Sequence, residues 1–447
     1  HRRHLAVVVA LAFVLRAGLP LAALAVARPQ PPKIREDDSL GYIQVAEELV
    51  ATGRFARQGR PEIARTPGYV LLLVPGVLLG HIDSVTVALQ VVIGCLTVYL
   101  TYHLALLIFE RHGVALAAAV LSACEPLSAL YAGKLLSETA FTCAVTGLVF
   151  LFARYLLRAG WCNLIGSAVV LAVAIYIRPI ALYLSVVLTV MLLAGHWRRT
   201  ASRRRLGVQA AAFLAISAGL PAAWAVRNQA VAGYGHFSAM ADVNLYFWQA
   251  AGVEAATTGR KLVDVQREWG LFDADVFHQR HPEARDWSKP QRCAFYRQEA
   301  MRILREAPGT ALTVHLAGIR STLLDAGTQA FRDYFRIANP PAENPPPTDD
   351  NAWNRLRRAW VAKPLAVLLH GALQVLTVAY LALAMLGWLT SGHWRRPAVV
   401  LLVVTIGYLL LFSGGPAGYH RFRLPLVPLL SVLAAGGCRN CGWRIAD

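Results

Sequence analysis

The sequence predicts an all-α polytopic membrane protein, and three observations carry that reading. Hydrophobic residues make up 56% of the 447 residues, mean hydropathy is +0.45, and apolar runs recur along the chain at lengths near the ~20 residues a spanning helix needs. Lipid offers backbone groups no water partner, so only helices or closed barrels cross it, and these runs are too long and unbroken for barrel strands. The formal charge of +18 would suggest nucleic acid in a soluble protein. Here much of the excess falls in short loops between apolar runs, as the positive-inside rule expects. No nucleic-acid partner is expected.

The first run, 5–27, follows His1-Arg2-Arg3-His4. A cleaved leader is the competing reading, but the run is long for a leader core and is read as an uncleaved first span. Further candidate spans are 84–109, 114–132, 138–157, 162–177, 180–195, 207–226, 364–390, 397–412 and 424–437. The richest basic loops are Arg198-Arg199 with Arg203-Arg204-Arg205, and His393-Trp394-Arg395-Arg396. Setting both inside the cell also puts Arg111, Arg158 and Arg439 inside, and both termini become cytoplasmic. Residues 28–83, 133–137, 227–363 and 413–423 then face outward. Three regions follow: a transmembrane module over 1–226 with a first outer loop at 28–83, an extracytoplasmic cap over 227–363, and C-terminal spans with a short cytoplasmic tail over 364–447.

Some helical stretches do not read as spans. Leu40 to Thr52 puts Tyr42, Val45, Ala46, Leu49 and Val50 on one face and Gln44, Glu47 and Glu48 opposite, with Ser39 as N-cap and Gly53 as stop. Pro67 to Gly80 is too short to cross. Both are placed in the outer interface, as is Pro308 to Leu324 with His315 and Arg320. The cap is polar, aromatic and mostly helical in pattern, as over Gln298–Arg305, and Asn339–Asp350 is Pro-rich. The seven cysteines lie mostly singly in apolar runs, where Cys acts as a small hydrophobe. The lone Cys438-x-x-Cys441 is assigned no function.

The chemistry concentrates between the first two strong runs, in Glu36-Asp37-Asp38-Ser39-Leu40-Gly41-Tyr42. Asp38 sits just before the interfacial helix, near its positive end, where ionisation is favoured and a carboxylate can accept a hydroxyl proton. An N-terminal cap cluster is the bland alternative. Glu138, at the start of a span, needs a partner at that depth, as does Glu125 before Pro126; Lys134 could pair with either in a structural ion pair. Arg178-Pro179 joins two spans without a polar loop. Its arginine either snorkels or binds a phosphate bidentately. Tyr419, His420, Arg421 and Arg423 end an outer loop starting at Gly414. Cations there run against the usual charge bias, and a phosphate partner would explain them. Nucleotide-loop, zinc-protease and nucleophile-elbow motifs are absent. His103 reads as a hydrogen-bonded packing residue.

Taken in order, these motifs resemble the GT-C membrane glycosyltransferases, nearest the branch of protein O-mannosyltransferases and the lipid A aminoarabinose transferase. Asp38 with Tyr42, then Ala46-Glu47-Glu48-Leu49 and Gly53, is similar to that group's first outer loop. Arg65-Thr66-Pro67-Gly68-Tyr69 resembles the start of its second juxtamembrane helix, and Ser137-Glu138 stands where the branch carries an acid. Arg178-Pro179, Trp224-Ala225-Val226-Arg227-Asn228 and Tyr419-His420-Arg421-Phe422-Arg423-Leu424-Pro425 are similar to bacterial members. The resemblance implies a GT-C helical bundle that moves a sugar from a polyprenyl-phosphate donor to a hydroxyl of a glycan, lipid or protein, with inversion, outside a bacterial plasma membrane. Asp38 would be the general base and Glu138 would position it or the acceptor. Asp37, Tyr42, Arg65, Arg178, Tyr419, His420, Arg421 and Arg423 would line the substrate site. Asp37 precedes Asp38, so the base could slip by one residue; the tyrosine spacing favours Asp38. Some relatives hold a divalent metal near the Pro67 position. Arg65 stands there and Glu62 is out of register, so no metal and no cofactor are expected. A transporter or flippase of a lipid-linked intermediate is the rival reading, and a scaffold subunit a third.

Overall fold

The structure, a computed structural model, describes residues 1–26, 31–196, 202–337 and 364–437. The chain opens with α1 (Arg2–Val26), α2 (Asp37–Thr52), α3 (Pro67–Leu78), α4 (Ile82–Phe109) and α5 (His112–Cys124). It continues through α6 (Pro126–Tyr131), α7 (Glu138–Arg158), α8 (Trp161–Ile177), α9 (Leu184–His196) and α10 (Arg203–Ala232). A cap follows: α11 (Met240–Asn244), a π turn over Leu245–Ala250, α12 (Ala251–Thr258), α13 (Leu262–Glu268), α14 (Ala274–Arg280), α15 (Lys289–Glu306), α16 (Pro308–Leu324) and α17 (Thr328–Tyr334). The described chain ends in α18 (Pro364–Thr390), α19 (Pro397–Ser413) and α20 (Val427–Gly437). This is a multi-pass helical membrane protein. Among the described residues, α1, α4, α7, α10 and α18 are long and apolar enough to cross a bilayer, and shorter apolar helices stand at other expected spans.

Two departures from the sequence reading have local causes. The run 114–132 is two helices rather than one span, because Pro126 lacks the N–H that would bond Ser122 and the chain turns at Glu125, whose φ/ψ of −68°/117° is extended. The interfacial helix α2 starts at Asp37, with Glu36 rather than Ser39 as N-cap. Ser39 instead accepts from the Glu36 N–H at 2.9 Å and donates to the Leu135 carbonyl at 2.7 Å. Gly53 does end α2, at φ 69°. Arg198, Arg199, Arg439, the Pro-rich 339–350 and Cys438/Cys441 lie outside the described residues.

The loop between α2 and α3 holds a two-residue hairpin, β1 (Ala56–Arg57) and β2 (Arg60–Pro61), paired Ala56 with Pro61 and Arg57 with Arg60. Its tip, Gln58-Gly59, has φ of 54° and 73°, the left-handed pair a tight hairpin requires. Arg227 near the end of α10 pins this loop, donating to the carbonyls of Phe55 at 2.7 Å and Glu62 at 2.6 Å.

The loops group into two sets, as the charge parity predicts. At one end Lys134 reaches Glu36, Arg178 reaches Glu138, and Arg421 reaches Asp38. At the other, Arg396 donates to the Ile108 carbonyl at 2.9 Å, and the His1 ring stacks on His112 at 3.9 Å. A main core joins α2 to α5, α7 to α9 and the C-terminal helices. The cap has its own core around Tyr246, Phe247, Trp269 and Phe277.

Candidate active site

Asp38 lies in the first turn of α2, where the helix dipole favours its charge. Each of its oxygens is held by a different arginine: Arg65 Nη2 donates to Oδ1 at 2.9 Å, and Arg421 Nη1 to Oδ2 at 3.0 Å. These partners come from distant stretches, Arg65 just before α3 and Arg421 just before α20. Gly41 makes room for the first, since a Cβ there would stand 3.0 Å from Arg65 Nε. Burial alone would raise the Asp38 carboxyl, but Arg421 and Arg65 outweigh it and lower its pKa to about 2.

Glu138 forms the second half of the site. Its side chain is 2% exposed, and Oε1 accepts from Arg178 Nη1 at 2.8 Å. Arg421 Nε stands 3.6 Å from the same oxygen, so Arg421 lies between the two acids. Burial opposes its charge, yet Glu138, Tyr419 and Asp38 push its pKa up. Aromatic faces hold the cations in place. The Phe422 ring centre is 5.2 Å from both the Arg178 and the Arg421 guanidinium carbons; Tyr419 lies 4.8 Å from Arg421 and Tyr42 4.6 Å from Arg65. Three arginines face two carboxylates here, a surplus of one positive charge. Such a cluster can receive an anion at a proton acceptor.

Other sequence candidates fall elsewhere. Asp37 is exposed, and no hydrogen bond among the described residues ties it to the cluster. Lys134 does not pair with Glu138 or Glu125. It donates to Glu36 at 2.7 Å, alongside Lys33 at 2.9 Å, and Glu125 instead caps α6 through the Ser128 N–H. His420 bridges Asp325 at 2.8 Å and Tyr131 at 3.1 Å. Arg423 is 3% exposed and donates to the carbonyls of Leu323 at 2.7 Å and Asp325 at 2.9 Å, at the end of α16. It belongs to a helix terminus rather than to the cluster. His103 packs among Tyr99, Tyr102 and Phe150, and among the described residues its buried Nε2 has no hydrogen-bond partner.

Guanidinium groups hold both Asp38 oxygens, Glu62 accepts from the Ala64 and Arg65 N–H groups beside Lys289, and no group of three metal-ligating side chains converges among the described residues.

Sequence reasoning missed Arg16, buried within α1. It donates to the carbonyls of Ser122 at 3.2 Å and Ala123 at 3.1 Å, the groups that the Pro126 break leaves without helical partners. The signal was present in a lone arginine inside an apolar run.

The family model described as dolichyl-phosphate-mannose-protein mannosyltransferase matches residues 67–224, starting beyond Asp38. No curated protein matches the chain. The archaeal oligosaccharyltransferase AglB from Archaeoglobus fulgidus, solved with an inhibitory peptide and a dolichol-phosphate, aligns over 97% of this chain and 50% of its own, at 14% identity and a TM-score of 0.53. Its apo form aligns over the same shares at 13% identity and 0.52. The chain has the GT-C fold. It spans half the length of these two structures. ArnT from Cupriavidus metallidurans aligns over 95% of this chain and 77% of its own at 15% identity, with a TM-score of 0.39. Within the GT-C bundle, Asp38, Arg65, Glu138, Arg178 and Arg421 come together from five separate stretches, while His420 and Arg423 turn to the α16 end.

Proposed function

We propose that this protein is a glycosyltransferase that moves a sugar from a polyprenyl-phosphate donor to a hydroxyl acceptor. The observation that carries the reading is a carboxylate, Asp38, set in a cluster whose arginines outnumber its acids. Asp38 takes the proton as the acceptor O–H bond breaks. The acceptor oxygen attacks the anomeric carbon, and the bond from that carbon to the phosphate oxygen breaks with its electron pair leaving on the phosphate. A single direct displacement inverts the anomeric centre. The phosphate gains negative charge as it leaves, and Arg178 and Arg421, packed on Phe422, stabilise it. Arg65 and Tyr42 orient Asp38. Glu138 holds Arg178 and stands beside Arg421. No divalent metal takes part. The acceptor, a glycan, lipid or protein, meets the site beneath the cap, on the extracytoplasmic side of a bacterial plasma membrane.

The fold shared with AglB, whose structure contains dolichol-phosphate, supports a lipid-linked donor. A transporter would gather its ionisable groups near the bilayer midplane; these residues sit at one end of the bundle. The test is to incubate the purified protein in nanodiscs with a panel of radiolabelled polyprenyl-phosphate sugars and hydroxyl acceptors. We expect one donor to give labelled product of inverted configuration. Movement of intact donor across the bilayer without product would favour the flippase reading.

A further inference from the structure

Arg421 holds the proposed base, yet its own seating is incomplete. Nη1 donates to Asp38 at 3.0 Å, while Nε stands 3.6 Å from Glu138 Oε1, outside hydrogen-bond range, and is buried without an acceptor among the described residues. On the same ion pair Glu138 Oε2 is buried without a donor among the described residues. A buried polar atom left unpaired is costly, which makes two in one pair unusual. Guanidinium chemistry supplies what both lack. The Nε–H and the neighbouring Nη2–H point side by side, a fork that matches the two oxygens of one carboxylate. A pivot of Arg421 onto Glu138 satisfies both orphans at once. It also withdraws Nη1 from Asp38.

We propose that Arg421 is a two-position latch between the two acids of the site: it closes on Asp38 in the resting protein and forks onto Glu138 when a phosphate binds, freeing Asp38 to accept a proton. The inference rests on the glycosyl-transfer reading above. Its physical need is plain. A carboxylate gripped by two arginines, with its pKa at about 2, is a poor base. A phosphate offers Arg421 more charge and more acceptor oxygens than Asp38 does, so it competes for Nη1. Once Arg421 leaves, Asp38 keeps Arg65 as its one direct cationic partner. Tyr419 lies alongside, and Arg178 and Glu138 lie behind Arg421. Burial then weighs more heavily and the carboxyl pKa climbs. Donor binding thereby switches on the base, and an empty site stays unreactive.

Two measurements test the latch. In Glu138→Gln the amide cannot accept a fork on both atoms, and one negative charge beside the phosphate is gone. Sugar-free polyprenyl phosphate should bind at least as tightly as to wild type, while donor-saturated transfer slows by roughly 10- to 100-fold, the worth of one charge-assisted hydrogen bond. An unchanged transfer rate, or a loss of affinity that parallels the loss of rate, would overturn the proposal. The second measurement needs no turnover. Calorimetry in buffers of different ionisation heat, at about pH 4, should show wild type taking up more protons than Asp38→Asn when sugar-free polyprenyl phosphate binds, because freeing Asp38 raises its pKa. Equal uptake would sink the latch. A protein that shows the Asp38-dependent uptake but transfers no sugar would keep the latch and refute the reaction.

Discussion

Arg421 and Arg423 sit two residues apart on one short helical turn, and the structure treats them in opposite ways. Arg423 donates to main-chain carbonyls at the end of α16 and to Thr377. Those acceptors cannot leave without unmaking the fold. Arg421 donates to one carboxylate and approaches another without bonding it. Its partners are side chains that a phosphate can replace. Each region also holds an acid at a low pKa, but for different reasons. Asp325 is kept at about 2 against burial by His420 and the Gly327 N–H, and Asp38 by arginines. An arginine among backbone carbonyls is architecture, whereas an arginine among carboxylates at a loop end can exchange partners.

The two regions part most sharply at their acids. Asp38→Asn should lower donor-saturated transfer by ~10²- to 10⁴-fold, the range of a lost general base, while the protein keeps its fold. Asp325→Asn should lower thermal stability and leave the transfer rate per folded molecule near wild type. Equal rate losses in the two variants would erase the distinction drawn between the regions.

A smaller effect, of opposite kind, is expected from Arg423→Met. It leaves buried carbonyls without donors at a cost of about 3 kcal/mol or more, read as a lower midpoint in detergent unfolding, with transfer by the folded fraction preserved. A variant of full stability and no activity would move Arg423 into the chemistry.

The pH dependence is smaller again. Asp38 and Asp325 both titrate lower in the folded protein than the usual 3.8. Their contribution to stability is therefore complete above that value and disappears as the pH falls through about 2. Acid unfolding should steepen in this window, and Asp38→Asn should flatten it. Bound polyprenyl phosphate should shift the Asp38 part upward and leave the Asp325 part in place.

Much of this was legible in the sequence, because hydropathy and loop charge are local properties. The helices, the grouping of loops at two ends and the placing of Asp38, Glu138, Arg178 and Arg421 in loops or at span ends all follow from them. Pairings were not legible. Arg65 and Arg421 meet on Asp38 from far apart in the chain, and no local pattern encodes that meeting. The sequence could not separate Arg421 from Arg423, since their difference lies in what the end of α16 presents. Lys134 read as a partner for Glu138 because they are neighbours in sequence, but the turn after α6 sends it to Glu36. The break at Glu125-Pro126 was visible in the proline; its repair by Arg16, more than a hundred residues earlier, was not.

Whether the arginines around Asp38 receive a lipid's phosphate can be read from one affinity. Sugar-free polyprenyl phosphate should bind Arg421→Gln roughly 10- to 100-fold more weakly than wild type, as expected for a lost charge-assisted contact. Binding as tight as wild type would contradict the account and place the phosphate elsewhere.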